Sequence, residues 1–182
     1  MKNKSLIATI FVLVAIIALA AAVYPSLAKK ATENTTTEQV SISDTIQYQR
    51  YRDIEIFDKD GNPVNLSDFE GKPIIVNFWA LWCGYCLQEM PDFEAAYKEY
   101  GDEVQFLIVN TADGLEKGGN YIADKGYTFP AYYDLQYDAS MTYGVASSLP
   151  RTVAIDKDGN VRYNRAGMVD AETLESIINM IK

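Results

Sequence analysis

Cys83 and Cys86 are the only two thiols in a chain of 182 residues that contains no histidine. Without imidazole there is no Ser-His-Asp or Cys-His catalytic pair, no His-ligated metal and no Cys-x-x-Cys-His haem attachment. The chemistry therefore centres on Trp82-Cys83-Gly84-Tyr85-Cys86, and its setting says more than its spacing. An apolar run ends just before it and a helical pattern starts at Cys83. Unpaired N–H groups and the macrodipole at a helix start stabilise a thiolate. Cys83 is thus expected to be exposed and attacking, and Cys86, one turn inside, shielded and resolving. A purely structural disulfide is disfavoured, because so short a loop removes little unfolded-state entropy. A zinc site would need about four ligands and hence two chains, so no metal is expected. Glu89 lies three residues after Cys86 and shares its helix face with Phe93 and Tyr97. That spacing puts its carboxyl at the border of the core, near the shielded sulfur, with a raised pKa suited to moving a proton. On spacing alone, a solvated glutamate that favours the helix dipole is an equal reading.

The elements that must hold these residues are legible in outline. Residues 52–57 (RDIEIF) alternate, and the turn at 59–62 leads on to Val64 and Leu66, predicting a β-hairpin. The run IIVNFW at 74–79 reads as a strand covered on both faces, and VQFLIV at 104–109 as a second. Between them residues 83–100 carry a helical apolar stripe interrupted by Pro91. A weaker helix is expected over 115–125, ended by Gly126, and a helical turn over 140–143. Residues 152–155 and 161–164 form a hairpin, and an amphipathic helix over 171–182 closes the chain. Asp170 is its expected N-cap, with Leu174, Ile177, Ile178 and Ile181 facing inward. A βαβα order followed by ββα predicts an α/β fold, a central mixed sheet with helices on both faces.

Ahead of this domain, residues 6–23 (LIATIFVLVAIIALAAAV) are apolar except for Thr9. Eighteen residues at helical rise span roughly 27 Å, close to the hydrocarbon thickness of a bilayer. A retained single-pass membrane anchor is the first expectation; cleavage at Ser26-Leu27-Ala28, releasing a secreted protein near Ala28, is the alternative. Either way the C-terminal part is exported. The expected organisation is an anchor or signal over 1–28, a Thr/Ser/Glu-rich flexible linker over 29–45, and one folded domain over 46–182. The chain carries 16 basic and 25 acidic residues, and only Lys2 and Lys4 fall in the first 28. A domain with that acidic excess is a poor partner for nucleic acid.

The segment 76–91 (VNFWALWCGYCLQEMP) resembles the active-site segment of thioredoxin-fold proteins, more narrowly the membrane-anchored, extracytoplasmic branch that includes ResA and TlpA. The likeness runs from about Tyr51 to the C-terminus, through LSDFEGK at 66–72, GYTFP at 126–130, and Tyr143-Gly144-Val145 on to Leu149-Pro150 and Ile155-Asp156. The resemblance implies a thioredoxin-like fold with an N-terminal hairpin extension. The implied activity is thiol–disulfide exchange, running through a Cys83–Cys86 disulfide and no separate cofactor. Its implied partners are exported cysteine-containing clients, cytochrome c apoprotein among them at family level, and a membrane thiol-electron donor if the protein reduces. Reduction is the implied direction; disulfide formation or isomerisation is the alternative, and a thiol peroxidase fits the local sequence badly. Pro150 matches the family's cis-proline, Leu149 would pair with an incoming client strand, and Trp82, Gly84 and Tyr85 would complete the client-binding rim. Trp79 and Trp82 would shape the core and rim around the thiols. Glu89 matches the Cys-x-x-Glu-x-Pro pattern of the ResA-like branch, while Asn77 stands where thioredoxin itself has a buried aspartate. Tyr85 replaces the proline common between the cysteines, which should change the potential. Arg151 replaces a threonine after the cis-proline and is expected to put positive charge near the thiols, lowering their pKa or recruiting acidic substrates.

Overall fold

The computed structural model describes residues 49–145 and 148–182. The expected membrane span, the cleavage site, the whole of the linker and the first three residues of the expected domain lie outside the described residues. Seven strands form one mixed sheet: β1 (Glu55–Phe57), β2 (Pro63–Asn65), β3 (Ile74–Trp79), β4 (Gln105–Asn110), β5 (Ala131–Tyr133), β6 (Arg151–Ile155) and β7 (Val161–Ala166). Their order across the sheet is β2-β1-β5-β4-β3-β6-β7. Helices α1 (Gly84–Tyr100), α2 (Gly114–Lys125), α3 (Asp138–Tyr143) and α4 (Ala171–Ile181) cover its two faces, and a 3-10 turn spans Leu66–Phe69. This is the thioredoxin-like arrangement the sequence implied, with the β1–β2 hairpin as its N-terminal extension.

β3 occupies the middle of the sheet, parallel to β4 and antiparallel to β6, and all six of its residues are buried. The pleat sends alternate side chains to opposite faces. Ile75 and Trp79 join Cys86, Met90, Phe93, Ile122 and the apolar side of α4 on one face. Ile74, Val76 and Phe78 join Ile54, Leu66, Val153 and Tyr143 on the other. The last helix behaves as its pattern predicts. Asp170 accepts a hydrogen bond from the Thr173 backbone N–H, and Leu174, Ile177, Ile178 and Ile181 are its buried residues.

One strand has no counterpart in the sequence reading. β5 follows α2, pairs parallel with β4, and contacts the N-terminal hairpin through Phe57↔Tyr133. It is what ties the hairpin to the sheet. Three residues after a proline are too few to show any period, so alternation could not have revealed it. α1 spans the stretch expected to be helical and runs through Pro91 as a single 17-residue element, although a proline there withholds one N–H from the helix ladder.

Candidate active site

The sulfurs of Cys83 and Cys86 are joined, with their Cα atoms 5.2 Å apart. Cys83 is the N-cap of α1, and its sulfur accepts a hydrogen bond from the Cys86 backbone N–H at 3.2 Å. The sulfur thus sits where a serine or aspartate oxygen ordinarily caps a helix, facing N–H groups that favour negative charge. Exposure ranks the two as expected but on a lower scale. Cys86 is fully enclosed, whereas Cys83 is only 6% exposed and so is not the open thiol anticipated. Both sulfurs belong to the core cluster beneath the sheet face, and Leu81 and Leu149 pack against it. The accessible part of the turn is aromatic: Trp82 and Tyr85 are each 66% exposed, while Trp79 is wholly buried. Gly84, the first residue of α1, would meet no atom within 4 Å if it carried a Cβ, so the rim between the two aromatics is open.

The Leu149–Pro150 peptide bond is cis. Arg151 pairs with Phe78 in the antiparallel register of β6 on β3, which brings Pro150 to the end of β3 from which the cysteine turn departs. Arg151 does not behave as expected. It shares its sheet face with Phe78 and Val153, the face opposite the sulfur-bearing cluster, and its Nη1 donates to Asn164 Oδ1 on β7 at 2.6 Å. A side chain paired with Phe78 must project with Phe78, so its charge points away from the thiols' side of the sheet.

Glu89 is deeper than the core border proposed from spacing: it is 1% exposed. Both of its carboxyl oxygens are engaged. Asn77 Nδ2 donates to Oε1 at 2.7 Å, and the Val169 backbone N–H donates to Oε2 at 2.8 Å. Asn77 is itself buried and also donates to Thr152 Oγ1 at 3.3 Å. Burial pushes the Glu89 pKa up to about 7; the hydrogen bonds from Val169 and Asn77 hold it back from a larger rise, and Asp92 adds a small upward push. A solvated glutamate is therefore ruled out. The carboxyl sits one helical turn beyond Cys86 on the same helix, inside the same face of the sheet, and titrates near neutrality.

Two supports of this site were missed in the sequence. Val169 acts through its backbone, 80 residues from Glu89, and no side-chain pattern signals such a contact. Asp113 does leave a local trace. Its Oδ2 accepts from Asn110 Nδ2 at 2.9 Å and from the Leu81 backbone N–H at 2.8 Å, while Asn110 Oδ1 accepts from the Ala112 and Asp113 N–H groups. An Asn at a strand end followed three residues later by Asp is a recognisable turn signal, and here it clamps the segment leading into Cys83.

A strand-to-helix Cys-x-x-Cys disulfide, a cis-proline at the end of the neighbouring strand and a mixed sheet covered on both faces define a thioredoxin-fold thiol–disulfide oxidoreductase. A Redoxin family model matches residues 32–181, and the chain belongs to that family. The thiol-disulfide oxidoreductase ResA of Bacillus thuringiensis subsp. konkukian is 35% identical over 129 residues, covering 69% of this chain and 73% of that protein. The ResA of Bacillus subtilis is 30% identical over 126 residues, 69% of this chain and 70% of its own. Among solved structures, the pneumococcal exposed lipoprotein thioredoxin of Streptococcus pneumoniae superposes with a TM-score of 0.61 at 30% identity, covering 70% of this chain and 99% of that one.

Proposed function

We propose that the domain reduces disulfides in exported proteins, with Cys83 as nucleophile, Cys86 as resolving thiol and Glu89 as the proton-handling group. The observation that carries this reading is the Cys83 sulfur capping α1 while Cys86 is sealed behind it. In the reduced protein the Cys83 thiolate attacks one sulfur of a client disulfide, forming a mixed disulfide and releasing the other client sulfur as a thiolate. Cys86 then attacks the Cys83 sulfur, the Cys83–Cys86 disulfide forms, and the second client thiolate leaves. Two electrons pass to the client, and a dithiol donor at the membrane must return two to reset the protein. Glu89, poised near neutral pH, takes the proton that Cys86 must lose before it attacks. Trp82, Gly84 and Tyr85 form the rim on one side of the client; on the other, the Leu149 backbone beside cis-Pro150 offers a pairing edge, with Arg151 behind it.

The uncharged run at 6–23 and the likeness to ResA proteins support a single-pass membrane tether with the domain outside the cytoplasm, and a form secreted after cleavage near Ala28 is the alternative. An intact N-terminus in the membrane fraction is expected; a soluble protein starting at Lys29 would overturn the tether. Cytochrome c apoprotein is a client at family level. The direct test of the thiol roles is Cys86→Ser. Mixed disulfides with exported clients should accumulate in that variant and vanish in Cys83→Ser, and iodoacetamide should label reduced Cys83 about tenfold or more faster than Cys86 near neutral pH. Equal labelling, or clients trapped on Cys86, would overturn the assignment.

A further inference from the structure

Every arginine of this chain lies in one neighbourhood. Arg50 and Arg52 precede β1, Arg151 opens β6, and Arg162 and Arg165 belong to β7; every other cationic side chain in the sequence is a lysine. The strand order ends with β7, and Arg50 bridges to Asn160 beside it, so these segments adjoin at one edge of the sheet. Three of the five arginines, Arg50, Arg52 and Arg162, line a single cavity of about 450 Å³ together with Asn164, Thr142 and Tyr143. None of the described residues lining it is acidic. That is notable in a stretch, 49–182, that carries 22 acidic and 12 basic residues.

Arginine and lysine are not equivalent here. The planar guanidinium offers a fork of donors that matches a carboxylate in two parallel hydrogen bonds, whereas an ammonium is a strongly hydrated point charge. Two of the three arginines are already oriented by partners outside the cavity lining: Arg50 pairs with Glu70 at 2.8 Å and Arg162 with Asp156 at 3.2 Å. Arg52 makes no ion pair among the described residues, and its backbone carbonyl, not its side chain, accepts from the Tyr143 hydroxyl. It is the arginine whose charge is available to a ligand. One hydrogen bond links the cavity wall to the segment that carries the cis-proline. Asn164, in that wall, is held by Arg151, the residue that directly follows cis-Pro150.

We infer that this arginine-lined cavity is an accessory recognition site for acidic residues flanking the cysteines of a client polypeptide. The inference deepens the reading of the dithiol as a client reductase and names the substrate class: segments carrying Asp or Glu a short distance from the disulfide. The acidic body of the domain repels such segments elsewhere, so the cavity would orient the client as well as hold it. Recruitment of acidic substrates, expected of Arg151 from the sequence, passes to Arg52, and Arg151 serves by fixing Asn164.

The test uses two matched peptide disulfides, one flanked by Asp and Glu, the other by Asn and Gln, with the full-length reduced protein. The acidic peptide is expected to have a kcat/KM about tenfold higher, carried by KM, as one charge-assisted hydrogen-bonded contact would give. Arg52→Glu should erase that advantage and leave the neutral peptide within about twofold of wild type, and added salt should erode only the acidic preference. Equal rates for the two peptides in wild type, or equal losses for both in Arg52→Glu, would overturn the inference. Binding is measured separately in a Cys83→Ser/Cys86→Ser protein with a cysteine-free acidic peptide, followed by the NMR shifts of Asn164 and Thr142. Binding there that disappears with Arg52→Glu supports the cavity even if exchange with both peptides were absent, an outcome that would instead sink the dithiol reading. Failure to bind, or citrate binding as tightly as the peptide, would reject a polypeptide site.

Discussion

At the scale of single residues, the proposed proton chemistry rests on Glu89 and its hydrogen-bond partner Asn77. The carboxyl is buried with a donor on each oxygen, yet its pKa rises to about 7, so desolvation outweighs both hydrogen bonds. A folded-state pKa above the unfolded value means that the native protein holds its proton more tightly. Stability from this group is then complete below about pH 4.5 and is lost as pH rises through about 7. The shift corresponds to on the order of 3 kcal/mol at full ionisation. Glu89→Gln removes the titration but keeps the shape. Its amide must also present an N–H₂ to either Asn77 or Val169, so at pH 4 the variant should be less stable than wild type by about 1–3 kcal/mol. The gap should close or invert between pH 4.5 and 7 and stay constant above. In parallel, the exchange rate of the variant should lose its dependence on a group near pH 7. Urea melts across pH 4 to 9 check the first expectation and pH–rate profiles the second. A gap that does not change with pH would mean that Glu89 carries its charge without penalty.

At the scale of elements, α4 positions Glu89 from a distance, because the residue before its N-cap, Val169, donates to the carboxyl. Asp170→Ala deletes the hydrogen bond to Thr173 N–H and should lower the denaturant midpoint, whereas Asp170→Asn keeps an acceptor and should be close to neutral. Denaturant midpoints with unchanged m-values would report this; an equal loss for both variants would show that charge, not capping, is at work. The cap was legible in the sequence because Asp170 stands directly before a strongly periodic run, and β3 was legible because a buried strand reads as a continuous apolar stretch. β5 was not, being three residues long. Nor was the capping of α3, where buried Asp134 accepts from the Ala139 and Ser140 N–H groups across a left-handed Tyr137. The cysteine turn and Glu89 could be found because helical spacing links them. The direction of Arg151 could not, since it depends on the register of β6 against β3, which only pairing in three dimensions decides.

At the scale of the whole molecule, the described residues close a sheet with a packed apolar layer on each face. One layer holds the sulfurs and Glu89's helix, the other the 3-10 turn, α3 and the inner side of the hairpin. β3 supplies side chains to both, so a large-to-small change there should disturb the layer which that side chain faces. Every residue of the two apolar layers lies within Gln47–Lys182. The acidic excess also resides there, and a net charge of one sign favours solubility. A protein beginning at Gln47 is therefore expected to unfold in one cooperative transition, with a Tm within about 3 °C of the full-length protein and unaltered exchange with a small disulfide reagent. The proposed tether predicts that association with the membrane is lost with residues 6–23. Differential scanning calorimetry of the two proteins decides the point. A Tm lowered by many degrees, or a broad transition, would show that residues before Gln47 complete the folded core.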